Sequence, residues 1–160
     1  MRASLRFAFA FVLALLALQP QAPLARQTGG GGGSLIVYGD TTYFFGLGIP
    51  RSCALSSRFK RGEPVGFRMT AIDPATGQRD RATELVVHLS YGGRTIDIPM
   101  RDRQTEQQPE RTFWVAKWVV PDDAPLGVLR YTVSARDSRG RTGTFKPFEV
   151  QTSQLTIVSE

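Results

Sequence analysis

Cysteine and histidine are nearly missing from this chain: its 160 residues hold one of each. A lone Cys53 cannot supply an internal disulfide, a CxxC redox pair, a thiolate-cluster metal site or the CxxCH attachment of a c-type haem. A lone His88 leaves out multi-histidine metal centres and most histidine-based triads. No Gly-x-Ser-x-Gly elbow or EF-hand spacing is present, and no glycine-rich loop runs into Lys-Ser/Thr. Lysine is also scarce, being confined to Lys60, Lys117 and Lys146, so arginine carries the positive excess. These absences point away from an enzyme and away from a resident cofactor or metal. They leave binding or scaffolding.

The amino end does not read as a folding segment. Met1–Arg6 carries two arginines and no acid, and Phe7–Leu18 is twelve unbroken apolar residues. Such a helix would be about 18 Å long, short of a hydrocarbon core of about 30 Å. Residues 1–25 therefore read as a secretory signal peptide, with an uncleaved anchor as the alternative. Arg26–Ser34 contains five consecutive glycines, which lose much backbone entropy on ordering and bring no side chain to pack; residues 26–34 read as a flexible tether. The formal charge of +6 falls to about +4 once Arg2 and Arg6 leave with the leader. That excess suits an acidic protein partner or an anionic membrane surface, and it is too small to indicate nucleic acid. Export points to the periplasmic or extracellular face, in association with a membrane.

From residue 35 to 158 the dominant signal is period two. Leu35–Tyr38 reads as a first strand closed by Gly39-Asp40, and Thr41–Phe45 as a second. Gly46–Leu55 is irregular, so residues 41–58 form an aromatic-rich entry segment. Val65, Phe67, Met69 and Ala71 share one face of the next strand. Leu85, Val87 and Leu89 repeat that pattern, as do Ile96, Ile98 and Met100. Phe113–Val120 is apolar on both faces apart from Lys117. Leu129, Tyr131, Val133 and Ala135 alternate with polar residues, and Thr144–Val150 and Leu155–Val158 close the series. Seven to eight short strands without an amphipathic helix must bury their faces sheet on sheet. The expectation is an all-β, antiparallel immunoglobulin-like sandwich, with a small closed barrel as the alternative.

Trp118–Gly143 (WVVPDDAPLGVLRYTVSARDSRGRTG) and Phe59–Phe67 (FKRGEPVGF) carry a resemblance to bacterial immunoglobulin-like domains of the early-set type. Those domains share a Trp-bearing strand, a Pro-rich turn ending in Gly, a Tyr-x-Val-x-Ala-x-Asp strand and an F-x-x-G-E-x-V entrance. The resemblance spans about Phe59 to Val158 and implies architecture without an activity.

The residues with most to say about function are large or awkwardly placed. Tyr43, Phe44 and Phe45 lie outside the best strands. Trp114 and Trp118 share one face of a strand that is apolar on both sides, so they are either core or a docking face. Alternation sends Arg68, Arg130 and Arg136 to the non-core side, where they would rim such a face. Cys53 reads as a small buried hydrophobe, or else as an intermolecular disulfide. The function expected is an exported, non-catalytic docking subunit of a membrane-associated complex. A soluble extracytoplasmic binding module for carbohydrate, small ligand or metal is the alternative.

Overall fold

A computed structural model of the chain describes residues 34–46 and 52–159. The expected leader (1–25), the tether up to Gly33 and residues 47–51 of the entry segment lie outside these described residues. The rest is all β. Ten strand segments follow in order: β1 (Ile36–Tyr43), β2 (Arg58–Phe59), β3 (Pro64–Ile72), β4 (Glu84–Tyr91), β5 (Arg94–Pro99), β6 (Arg101–Asp102), β7 (Trp114–Val119), β8 (Gly127–Arg136), β9 (Thr142–Phe145) and β10 (Leu155–Ile157).

They form two sheets. One has four strands in the order β1-β3-β7-β6; the other runs β2-β10-β8-β4-β5, with β9 also on β8. Every pairing is antiparallel except the short β10–β2 contact. The alternating apolar residues of each strand point at the other sheet. Phe67 of β3 meets Tyr131 of β8 edge to face at 5.1 Å, and Trp118 of β7 meets Tyr91 of β4 at 5.8 Å. Val65, Phe67, Met69, Leu85, Val87, Leu89 and Val133 are buried between the sheets. Each such aliphatic or aromatic side chain contributes about 1.5–3 kcal/mol of transfer free energy.

Two departures from the sequence reading have physical causes. Gly39-Asp40 is not a turn, because β1 runs straight through it and pairs Gly39 with Met69 and Asp40 with Arg68. A Cβ at Gly39 would collide with the Arg68 carbonyl oxygen and come within 2.6 Å of Met69 Sδ, so the glycine serves close strand approach. At the other end, β9 stops at Phe145, and residues 146–154 loop away before β10 rejoins β8 further along the same edge.

Ion pairs fasten one end of the molecule. Arg141 donates to Asp73 at 2.7 Å and to Asp137 at 2.7 Å, all three side chains being shielded from solvent. This joins the turn after β3 to the β8–β9 hairpin. Hydrogen bonds from Arg141 and from the Ala75 amide hold the Asp73 carboxyl below its ordinary value of 3.8. The Ser138 hydroxyl and the Ala82 amide do the same for Asp80. At Asp137 burial pushes the other way but is outweighed by Arg141 and the Arg139 amide. A carboxyl whose folded pKa is depressed stabilises the fold fully above its unfolded value, and that stability is lost as pH falls through the folded value. The melting temperature is therefore expected to stay level from pH 7 to about pH 5 and to drop steeply below about pH 4. Circular dichroism melts across that range check this; a melting temperature unchanged down to about pH 2 would count against the ion-pair assignment.

Candidate functional site

The outer face of the four-stranded sheet is built by the residues that alternate with the core. On β1 these are Ile36, Tyr38 and Asp40; on β3, Gly66, Arg68, Thr70 and Ile72; on β7 and just before it, Phe113, Val115, Lys117 and Val119. The register lines them up in rows across the strands. Ile36 pairs with Ile72, Tyr38 with Thr70, and Asp40 with Arg68, which in turn pairs with Val115 and through it with Arg101 of β6. Ile36, Tyr38 and Val119 are 48%, 51% and 49% exposed, unusual for large apolar groups within strands. Ile72, Phe113 and Val115 are half-buried between them.

Arg68 organises this surface. Its guanidinium donates two hydrogen bonds to Asp40, Nε to Oδ1 at 3.0 Å and Nη2 to Oδ2 at 2.7 Å. It also lies over the Phe113 ring at 5.8 Å. The Asp40 hydrogen bonds raise the Arg68 pKa further, so the cation is permanent. A fixed planar cation bordered by Tyr38 and Phe113 can pair with a carboxylate or stack on an aromatic ring, as interface arginines do.

The aromatic entry segment is part of this construction. Phe44 sits over Gly66, where an added Cβ would come within 3.0 Å of the Phe44 Cβ. Tyr43 stacks on Phe45 at 5.5 Å, packs edge-on against Phe59 at 5.0 Å, and donates its hydroxyl to the Arg58 carbonyl. Tyr43, Phe44 and Phe45 are all half-buried, but they divide between the faces: Phe44 covers Gly66 on the outer face, whereas Tyr43, with Phe45 stacked on it, packs against the core at Phe59.

Trp114 and Trp118 do not lie on this outer face. They face the core at 2% and 9% exposure, with the Arg79 guanidinium 4.0 Å over the Trp114 ring. Their partners on the same face, Ala116 and Val120, are buried with them. Arg130 and Arg136 are exposed as alternation implies, but on β8, in the other sheet from Arg68. The three arginines therefore do not rim one surface. Cys53 is exposed and not buried. It occupies a left-handed turn position at φ 65° with its amide donating to the Tyr43 carbonyl, and its thiol has the access an intermolecular disulfide requires.

His88 lies on the outer face of the second sheet in a network that the sequence did not reveal. Its Nδ1 is 2.7 Å from Asp97 Oδ1, and its Nε2 is 2.8 Å from Ser134 Oγ. With Asp97 ionised, Nδ1–H donates to the carboxylate, and a neutral ring accepts the Ser134 hydroxyl at Nε2. The order of groups is that of a nucleophile relay, yet Ser134 lies inside β8, paired with Val86 on one side and Thr144 on the other. Neighbouring main-chain N–H groups are committed to the ladders, so none is free to hold an oxyanion beside Ser134. The network orients the imidazole between β5 and β8.

Among the described residues no group of three or more His, Cys, Asp or Glu side chains is placed to hold a metal ion, and no helix is long and apolar enough to cross a membrane. No family model matches the chain, and no curated protein matches it in sequence.

Proposed function

We propose that this protein is an exported, non-catalytic docking subunit with an immunoglobulin-like fold, held against a larger membrane-associated assembly through the outer face of its four-stranded sheet. The strand order supports that topology. β1, β3, β7 and β6 lie side by side, opposed by β5, β4 and β8 with β9 and β10. This order resembles the partition of an ABED sheet against a GFC sheet extended by one strand, with the short β2 added beside β10. The observation that carries the docking role is the half-exposed pair Ile36 and Tyr38 at one end of this face, next to the fixed Arg68–Asp40 pair. An apolar, aromatic centre beside an oriented arginine is the composition of a recognition surface. The leader and glycine tether inferred from the sequence would bring that face to a partner at the membrane. The exposed Cys53 gives such an assembly a further point of covalent attachment.

Tyr38→Asp is the decisive substitution. The side chain is half in solvent, so the isolated variant is expected to melt within a few degrees of the parent. A charge placed at the centre of the contact should abolish co-purification with membrane partners after mild detergent extraction. Native mass spectrometry reads both outcomes. A Tyr38→Asp chain that keeps the same partners in the same amount removes this face from consideration.

A further inference from the structure

The six-stranded sheet has an outer face of different character, with a cavity of roughly 700 Å³ that no part of the docking reading uses. Its walls come from two rows of cross-strand neighbours. Thr95, Ser90 and Arg130 form one row across β5, β4 and β8, and His88 and Thr132 stand side by side in the next. Lys146 lines the site from the loop that follows β9.

From this arrangement we propose that the cavity binds a small hydroxylated anion, a sugar acid or sugar phosphate, with Arg130 and Lys146 receiving the negative group. Three features select that chemistry. Arg130 takes part in none of the ion pairs formed among the described residues, so its fork of donors is unspent. The hydroxyls of Ser90 and Thr95 lie 3.1 Å apart, and with Thr132 they offer donors and acceptors together, which is what ring hydroxyls need. Val128 and Pro147 add an apolar wall against which the carbon face of a sugar ring can rest. Asp97 and Ser134 hydrogen-bond both ring nitrogens of His88 and orient the ring at the cavity wall. Glu149 is the acid among the lining residues, and it lies 3.6 Å from Lys146 Nζ. It competes with an incoming anion, which gives the site a residue of opposite sign to test.

The experiment is an amide NMR titration of the full chain with glucuronate and with glucose 6-phosphate, alongside neutral glucose and inorganic phosphate. Saturable shifts are expected for at least one of the two sugar anions, confined to residues near 88–95, 128–134 and 146–154, with Kd of about a millimolar. Arg130→Gln, at an exposed position, should weaken that binding about tenfold, and Glu149→Gln should strengthen it a fewfold. Absence of saturable shifts with both sugar anions overturns the proposal. So does equal affinity for glucose or inorganic phosphate, or an unchanged Kd in Arg130→Gln. None of these variants touches the docking face, so either reading can fail without the other.

Discussion

Replacing Trp114 with alanine is expected to cost about 3–5 kcal/mol of folding stability. The indole is 2% exposed, sits at the start of β7, and pairs in register with Met69 at the centre of the core. Removing it leaves a cavity that the rigid sheets on either side cannot close. It also strips the Arg79 guanidinium of the ring 4.0 Å beneath it. Arg79 is already constrained, donating to Asp102 at 2.8 Å and to Gln104 at 2.6 Å while its buried Nε has no partner. Chemical denaturation of Trp114→Ala should therefore show a much lower midpoint with a similar slope. A loss below about 1 kcal/mol would return Trp114 to the surface and reopen its role as a docking residue.

Gly39→Asn is expected to destabilise by about 3 kcal/mol, the second large effect. Asparagine is among the best replacements for glycine in a turn, where φ is positive. At a turn it would be nearly silent. Gly39 does not have positive φ, and any Cβ there meets the Arg68 carbonyl oxygen and Met69 Cα at 2.8 Å. Backbone on the neighbouring strand can give way only by breaking the β1–β3 ladder, which also carries Tyr38 and the Asp40–Arg68 pair. A thermal melt of Gly39→Asn that matches the parent would show that β1 is interrupted at this point.

These two positions mark where the sequence could be read and where it could not. Strands β3, β4 and β8 have clean alternation, and each buries the face that its pattern marks. The pattern in β7 is apolar on both faces, so it shows that Trp114 and Trp118 lie together but not whether their side points inward. That depends on which sheet packs over them. Gly39-Asp40 has the composition of a turn, and only the crowding by β3 shows that the glycine is there for want of room. The His88 network needs residues 88, 97 and 134 brought together by two separate registers, which no local spacing encodes. The cavity beside it is built from the same kind of long-range pairing. The exposure of Ile36 and Tyr38 was equally hidden, since Leu35–Tyr38 is an unbroken apolar run that does not mark which side faces outward.

The docking face itself is most directly tested by hydroxyl-radical footprinting of the chain, first purified alone and then in gently solubilised native membranes. Tyr38, Ile36 and Phe113 should lose most of their reactivity in the membrane sample. Phe148, 75% exposed on the loop after β9, should react equally in both samples. If Tyr38 is labelled as readily in the native membranes as in the isolated chain, no partner rests on this sheet and the docking assignment is contradicted.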